Sequence, residues 1–451
     1  MEGRQEEKYI RMTTEPVGRL ICELAVPCII SMLVTSIYNM ADTYFVGKLD
    51  SNSATGAVGV VFSLMAVIQA IGFFFGHGSG NYISRKLGEQ DGAEARRMSS
   101  TGFTLALLAG AVLCVLGEIF LTPLANLLGA TPTILPYARD YMRIILIGAP
   151  WMTASLVLNN QLRFQGSAAY GMVGISAGAV LNIALDPVFI FALKMGVAGA
   201  ALATVLSQFA SFCLLLWQCG RGGNLRPHLK DAQIKRFYCQ EIARGGLPSL
   251  ARQGLASLAT ICLNRSARGY GDTVIAAMAV VTRVMMFGGS ALIGFGQGFQ
   301  PVCGFNYGAK LYHRVRQGFW FCVKWGTAFL LVVCALGAVF APELVALFRN
   351  DPEVIRVGAL AMRCQCVGFA LSGWVVISNM TLQTIGDTGP ATFLAAARQG
   401  VFFIPAVLIL PRLFNLWGVI LAQPVSDILA FAVAVPLMLR ALGKMRETGK
   451  N

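Results

Sequence analysis

The sequence predicts an all-α polytopic membrane protein with twelve transmembrane helices in two six-helix lobes. Three observations support this fold class. Of the 451 residues, 56% are apolar and only 13% are charged, whereas soluble proteins carry about 25% charged residues. Apolar stretches close to the roughly 20 residues that cross a bilayer recur twelve times along the chain. They form two sets of six that resemble each other in sequence.

The apolar stretches and the polar segments between them define five regions. The first set lies near residues 20–47, 55–76, 98–121, 144–162, 170–193 and 196–219. The second set lies near residues 246–264, 274–297, 318–341, 357–382, 391–411 and 415–439. We therefore predict an N-terminal tail (1–19), a first lobe (20–220), a linker (221–245), a second lobe (246–440) and a C-terminal tail (441–451).

The basic residues indicate the orientation of the chain in the membrane. Of the 36 Lys and Arg, 22 lie in the tails and the even-numbered loops, 9 in the odd-numbered loops and 5 inside spans. Because cytoplasmic loops are enriched in Lys and Arg, we predict that both termini and the linker are cytoplasmic. The net charge of +14 is dispersed over short loops, which argues against nucleic-acid binding. The N-terminal segment lacks the pattern of a cleaved signal peptide, so we expect the first stretch to remain as a membrane helix.

The chain shows no pattern typical of a metal centre, a disulfide framework or a common enzyme site. Most of the twelve Cys lie inside apolar stretches and no two form a CxxC pair, which indicates packing residues. Residues 174–178 match GxSxG, but inside a span rather than in a strand–turn–helix. Walker A, HExxH and dinucleotide-binding motifs are absent from the sequence. We therefore predict neither a metal nor an organic cofactor, no drive by ATP and no enzymatic activity.

The two sets of stretches are copies related by an offset close to 220 residues. Matches at 220 are Phe75, Gly76, Gly78 and Gly88 with Phe295, Gly296, Gly298 and Gly308, and Asn159, Leu162 and Gly166 with Asn379, Leu382 and Gly386. Matches at 219 are Gly199, Ala203 and Ser207 with Gly418, Ala422 and Ser426. Because each copy has an even number of spans, the copies share one orientation about an axis along the membrane normal, with a substrate path expected between them.

Two acidic residues inside the first lobe are the leading candidates for a functional site. Asp42 lies toward the end of the first stretch and Asp186 lies in the fifth. A charge inside a bilayer costs on the order of several kcal/mol unless it is paired or hydrated, so such residues are functional candidates. Asn182 precedes Asp186 by one helical turn and projects from the same face. Thr204 in the sixth stretch offers a hydroxyl at similar depth, and Pro187 frees a backbone carbonyl in the preceding turn.

The second half has no acid at the equivalent positions. Asp42 corresponds to Cys262 or Leu263, while Asn182, Asp186 and Thr204 correspond to Phe402, Ala406 and Gln423. Acids that the fold itself required would be present in both halves. We therefore predict a coupling site for a cation in the first lobe, formed by Asp42, Asn182, Asp186 and Thr204. Two neighbouring desolvated carboxylates can take up a proton, and oxygen ligands also suit Na⁺, so both ions remain open.

Further polar and charged residues lie within the spans of both halves. We predict that Tyr38, Asn39, Gln253 and Arg283 contribute to a substrate cavity, with structural roles for Arg363, Arg398 and Asp427. The 17 Met and 28 Phe supply adaptable apolar surface for varied ligands, although most of them face lipid or pack.

At these residues the chain resembles the MATE (multidrug and toxin extrusion) family, and it looks most similar to its bacterial MepA-like branch. The resemblance covers nearly the whole chain and is carried by IYNMADTYFVG, GSGNYISRKLGEQD, NNQLRFQG, LNIALDPVFIF and GVAGAALATVLSQ. It implies a V-shaped pair of six-helix lobes, alternating access and export driven by entry of H⁺ or Na⁺. The family's first-lobe coupling site carries over onto Asp42, Asn182, Asp186 and Thr204. A NorM-like branch has acids in helices seven and ten, where this chain reads LPSLARQGLAS and SNMTLQTIGD.

The resemblance leads us to expect an antiporter, coupled to H⁺ or Na⁺, that exports small amphipathic and mainly cationic drugs. We expect a monomer in contact with lipid in a bacterial inner membrane. The nearest alternative is a flippase for lipid-linked or polysaccharide substrates in the same superfamily, which often has more helices. A transporter of the major facilitator type fits the loop SRKLGEQDGAEARR less well. A multispan membrane enzyme that uses Asp42 and Asp186 as paired acids is a third alternative.

Overall fold

A computed structural model describes residues 2–48 and 52–448 of the chain. In this range the first half folds into a short amphipathic helix followed by seven further helices. A π-helical turn, Val188–Ala192, continues the seventh helix directly after Pro187. The helices are α1 (Glu2–Thr14), α2 (Val17–Gly47), α3 (Asn52–Gly88), α4 (Gly92–Ile119), α5 (Leu121–Leu127), α6 (Leu135–Phe164), α7 (Ala168–Pro187) and α8 (Val197–Gln218).

The second half repeats this order after the predicted linker, which holds a 3₁₀ turn, Leu229–Asp231, and the beginning of α9. A second π-helical turn, Ala397–Val401, joins α15 to α16. The helices are α9 (Arg236–Arg268), α10 (Asp272–Gly308), α11 (Tyr312–Val339), α12 (Ala341–Phe348), α13 (Pro352–Phe369), α14 (Ser372–Ile385), α15 (Thr388–Ala396), α16 (Phe403–Phe414) and α17 (Leu416–Thr448).

Membrane-spanning helices dominate the described part of the chain, which contains no β-strand. Ten helical segments are long and apolar enough to cross a bilayer, and α13 with α14, bent by 48°, adds an eleventh. The prediction of an all-α polytopic membrane protein is therefore confirmed. The remaining predicted span, near residues 246–264, lies in α9, a helix of 33 residues that is not among these segments.

The duplication extends to the backbone conformation of the connections. Left-handed φ angles occur at Gln90 (63°) and Lys310 (59°), which are 220 residues apart, and at Gly166 (77°) and Gly386 (89°), also 220 apart. Before α8 and α17 the same relation holds at an offset of 219. Gly196 has φ 58° and ψ −133°, and Asn415 has φ 51° and ψ −131°. Each half therefore turns between helices through the same unusual backbone states.

The chain divides into two compact units. The first comprises residues up to Thr14 and Ile30–Gly246, and the second comprises Glu15–Ile29 and the chain from Leu247 onward. The first unit has a core between α3, α5, α6 and α8, where Ile145, Leu146 and Ala200 are fully buried. The second has an equivalent core between α9, α10, α13 and α17. Each unit buries its own apolar helix faces and supplies a rigid frame for polar side chains.

The N-terminal helix α1 packs on the loops of the first unit. Lys8 Nζ donates to Ser167 Oγ at 2.7 Å and to Asn224 Oδ1 at 2.5 Å. Met12 is almost completely buried beside Gly166. Residues that the sequence suggested as a cytoplasmic tail and a linker are therefore joined by hydrogen bonds at one end of the first unit.

Candidate functional site

The candidate coupling residues all lie toward one end of the helices in the first unit. Asp42 is five residues before the end of α2, and Asp186 lies in the last turn of α7. Thr204 lies in the third turn of α8, whose start faces the end of α7 because consecutive spans are antiparallel. This is the end of the unit opposite to Lys8 and the predicted linker. Residues of α2, α7 and α8 therefore lie near the same end of the first unit.

Asn182 connects the two helices that carry Asp186 and Thr204. In the amide orientation that satisfies both neighbours, its nitrogen donates to Asp186 Oδ2 at 3.2 Å and its oxygen accepts from the Thr204 backbone N–H at 3.3 Å. All three side chains are at most 2% exposed. The i, i+4 pair predicted from the sequence is thus formed, and the next helix in the chain completes it.

Asp42 lies in a cluster that contains the hydroxyls of two tyrosines. The Tyr141 hydroxyl, in the second turn of α6, hydrogen-bonds to the Asp42 carboxylate. Tyr38, one turn before Asp42 on α2, hydrogen-bonds to the Thr204 hydroxyl. The charges of Asp42 and Asp186 interact electrostatically. The two acids therefore belong to a single polar cluster that is connected through Tyr38 and Thr204.

A small internal cavity of about 50 Å³ opens beside Asp42. A cavity of this size has room for roughly three or four water molecules and is far below the several hundred Å³ of a drug-sized site. Half of its lining is apolar and comes from α3 and α6. The polar half consists of Tyr38, Asn39, Asp42, Gln69, Tyr141 and Thr204.

Each acid keeps one carboxylate oxygen without a hydrogen-bond partner. Among the described residues, Asp42 Oδ1 and Asp186 Oδ1 are buried and accept no hydrogen bond. Neither acid forms a salt bridge within the described range, unlike Asp427 in the second half. A buried anionic oxygen without a donor is costly, and a proton or a cation removes that cost. A cluster of this chemistry can accept a proton or a cation.

The equivalent helices of the second half carry a different arrangement. Arg398, in the π-helical turn after α15, donates from Nε to Asp427 Oδ1 on α17 at 2.7 Å. Gln423, the counterpart of Thr204, donates to the same oxygen at 2.9 Å. The acid of the second half is thus neutralised by the chain itself.

The structure brings together six of the residues predicted from the sequence, namely Tyr38, Asn39, Asp42, Asn182, Asp186 and Thr204. Gln253, on α9, is partly buried, and Arg283, on α10, is exposed. Neither is among the residues that line the cavity beside Asp42. Their assignment to a substrate cavity stays a prediction.

Two members of the cluster were absent from the prediction. Tyr141 and Gln69 lie in α6 and α3, and neither belongs to a sequence pattern that points to Asp42. Their only distinguishing feature in the sequence is a polar side chain within an apolar stretch. That feature is too common to identify a functional residue on its own. Only the packing of α3 and α6 against α2 places them beside Asp42.

Comparison with known proteins supports the fold and the duplication. The MatE family model matches twice, over residues 27–188 and 248–409, so the two matches are offset by 221 residues. The multidrug export protein MepA of Staphylococcus haemolyticus is 27% identical over 439 residues, covering 96% of both chains. MepA of Staphylococcus aureus is 26% identical over 434 residues, covering 96% of this chain and 95% of that protein.

A crystal structure of MATE in the bent conformation superposes with a TM-score of 0.92. It is 26% identical and covers 98% of this chain and 99% of the other. The two family matches together cover more than half of the sequence. The chain, a multi-pass membrane protein of two related halves, therefore belongs to the MATE family, the multidrug and toxin extrusion transporters.

Proposed function

We propose that the protein is a secondary exporter that couples entry of H⁺ or Na⁺ to efflux of small amphipathic, mainly cationic compounds. The observation that carries this proposal is the pair of buried acids Asp42 and Asp186, each with an oxygen that accepts no hydrogen bond among the described residues. Asp42 also lines a cavity of about 50 Å³. Sequence motifs for ATP binding are absent, so an ion gradient is the available source of free energy.

The geometry supports a single exchangeable cation in the first unit. Asp42 and Asp186 interact electrostatically, so a positive charge bound at one stabilises the ionised form of the other. The hydroxyls of Tyr38, Tyr141 and Thr204 and the amide oxygens of Asn39 and Gln69 are neutral ligands of the kind that Na⁺ accepts. Protonation needs fewer ligands and is equally compatible with this site.

The substrates follow from the relatives rather than from the cavity. The MepA proteins are named multidrug exporters, and their similarity over 96% of this chain supports the same substrate class here. The cavity beside Asp42 is too small for such compounds, so drug and coupling ion occupy different places. We infer a bacterial plasma membrane location with both termini in the cytoplasm, which the 22 basic residues in the tails and even-numbered loops support.

Transport by the purified protein in liposomes tests the proposal. Efflux of a fluorescent lipophilic cation is measured with an imposed H⁺ gradient, with an imposed Na⁺ gradient and with neither. We expect one of the two gradients to drive transport and Asp42→Asn and Asp186→Asn each to abolish it. Asp140→Asn is the matched control, because Asp140 is an exposed acid that directly precedes Tyr141 on α6.

Thermal unfolding in detergent shows whether the inactive variants remain folded. Transport that neither gradient drives, or full activity in a folded Asp186→Asn variant, would contradict the proposed coupling. Hydrolase or transferase activity lost with Asp42→Asn, together with unchanged drug efflux, would favour the alternative of a membrane enzyme.

A further inference from the structure

The second half contains a membrane-buried ion pair that has no counterpart among the described residues of the first half. Asp427 is 1% exposed, and its Oδ1 accepts from Arg398 Nε at 2.7 Å and from Gln423 Nε2 at 2.9 Å. The Arg398 side chain is 23% exposed, so the guanidinium approaches the acid from the more open side. Asp427 Oδ2 is buried and has no hydrogen-bond partner among the described residues.

Backbone and packing are both adapted to this pair. Arg398 lies in the π-helical turn Ala397–Val401, and Ser426 donates to its carbonyl oxygen at 2.5 Å. Such turns break the regular α-helical pattern and occur frequently at functional sites. A Cβ atom at Gly368 would lie 3.0 Å from Asp427 Cβ and 3.2 Å from Oδ2. A glycine on α13 therefore provides the space in which the carboxylate sits.

The first half has small residues at the corresponding helix crossing. The offsets of 220 and 219 place Gly178 at Arg398 and Ser207 at Ser426. A Cβ atom on Gly178 would lie 3.2 Å from the Ser207 carbonyl oxygen, so α7 and α8 pack there without any charge. Asp42 and Asp186 instead lie elsewhere in the first half, without a basic partner in the described range. Within the described residues, the buried acid of the second half is thus paired with an arginine, whereas those of the first half are not.

We propose that Arg398 is a tethered counter-cation that occupies the charge-compensating position at Asp427 and so keeps the second half from binding a coupling ion. A guanidinium remains protonated under physiological conditions and forms directional hydrogen bonds with a carboxylate. Ions in solution cannot displace it as they exchange at Asp42 and Asp186. Arg398 thereby limits the transporter to the coupling site of the first half. Only this last consequence, for transport, rests on the proposed function; the exclusion of an ion from Asp427 does not.

The pair should become an ion site when the arginine is removed. In Arg398→Met, the side chain keeps a similar length but loses its charge, and Asp427 is left as a buried acid that must take up a proton or Na⁺. We expect this variant to bind about one more H⁺ or Na⁺ per molecule than Arg398→Met/Asp427→Asn. Infrared spectroscopy of the purified protein, with H⁺ uptake and ²²Na⁺ binding, measures this difference.

Measuring ion binding in an Asp186→Asn background tests the role of Arg398 independently of the proposed transport function. Binding is measured in Asp186→Asn/Arg398→Met and in the same protein with Asp427→Asn added, so neither measurement depends on coupled transport. An equal number of ions in both proteins overturns the role of Arg398. A difference of one ion supports it even if the liposome experiments show no coupling to either gradient.

A second test uses the wild-type arginine and so does not depend on the folding of Arg398→Met. If Arg398 excludes the coupling ion, Asp427→Asn alone leaves the number of bound ions unchanged. A loss of one ion in Asp427→Asn overturns the proposal, because Asp427 would then bind an exchangeable ion beside Arg398. Arg398→Lys keeps the positive charge and is expected to match the wild type in ion count.

Discussion

Lys8 Nζ donates to Asn224 Oδ1 at 2.5 Å across 216 positions of the sequence. Burial, and to a smaller extent the charge of Arg11, lower the pKa of Lys8 from 10.5 to about 8. Undocked α1 therefore binds the proton more tightly than docked α1, and docking is weakest below pH 8. The contact that holds α1 against the loop after α8 is thus sensitive to pH on the alkaline side.

We predict that docking of α1 strengthens as the pH rises from about 8 toward 10.5. Over this range Lys8 is already deprotonated in the docked state but still protonated in the undocked state. The protection of the α1 amides against hydrogen exchange therefore increases by up to about tenfold per pH unit. Hydrogen exchange of the amides of residues 2–14, corrected for intrinsic rates, measures this change. Lys8→Met should remove the pH dependence, and the exposed Lys230→Met should retain it. The same profile in Lys8→Met would assign the effect to another group.

Removing the Tyr141 hydroxyl should change the affinity for the coupling ion without unfolding the protein. The hydroxyl hydrogen-bonds to the Asp42 carboxylate, and hydrogen bonds to charged groups contribute about 1.5–3 kcal/mol. Tyr141→Phe should therefore shift the half-saturating concentration of the coupling ion by about tenfold or more. If a proton binds, the value falls, because the ionised Asp42 carboxylate loses a donor; if Na⁺ binds, the value rises, because the ion loses a neutral ligand. Transport in liposomes at graded H⁺ or Na⁺ concentrations measures this value. Tyr137→Phe changes an exposed tyrosine one turn earlier, and an equal effect there would argue against the contact.

Replacing Asn415 with glycine should stabilise the protein, and replacing Gly196 with alanine should destabilise it. Both residues have positive φ and a ψ near −130°, a region that side chains with a Cβ atom enter at a cost of about 1–3 kcal/mol. We expect Asn415→Gly to raise the thermal unfolding temperature and Gly196→Ala to lower it. Asn350→Gly, in the loop between α12 and α13 without positive φ, is the control for added flexibility. If Asn415→Gly lowers the unfolding temperature, the Asn415 side chain stabilises the protein by more than its strained backbone destabilises it.

Contact between α4 and α6 depends on a glycine. A Cβ atom on Gly110 would lie 2.6 Å from Pro150 Cα and 2.8 Å from the Ala149 carbonyl oxygen. Because both atoms belong to the backbone, the helices must separate, and we predict that Gly110→Ala destabilises the first unit by about 1–3 kcal/mol. Thermal unfolding in detergent measures the loss. Gly443→Ala, where nothing lies within 4 Å of the added carbon, should be neutral or slightly stabilising, and a similar loss there would point to a general effect of the methyl group.

The sequence was informative wherever a feature repeats or lies along one helix. The offset of 220 between FGHGSG and FGQGFQ anticipated the two MatE matches, and the spacing of Asn182 and Asp186 anticipated their hydrogen bond. Contacts between distant helices were not accessible, because neither Tyr141 nor Gln69 shows a local pattern that points to Asp42. The same limit applies to Arg398 and Asp427, for which only a structural role was predicted. Their pairing depends on the crossing of α17 with a π-helical turn.

The matched left-handed residues show where the two copies of the ancestral half have diverged in length. The chain advances by 76 residues from Gln90 to Gly166 and from Lys310 to Gly386, but by 30 from Gly166 to Gly196 and by 29 from Gly386 to Asn415. The unequal segment is the one that contains a π-helical turn in each half. Since such a turn absorbs an inserted residue while the helix ends stay in place, insertions and deletions were tolerable there. An inserted residue also rotates the neighbouring side chains to a new face of the helix, and Asp186 lies two residues before one of these turns while Arg398 lies within the other.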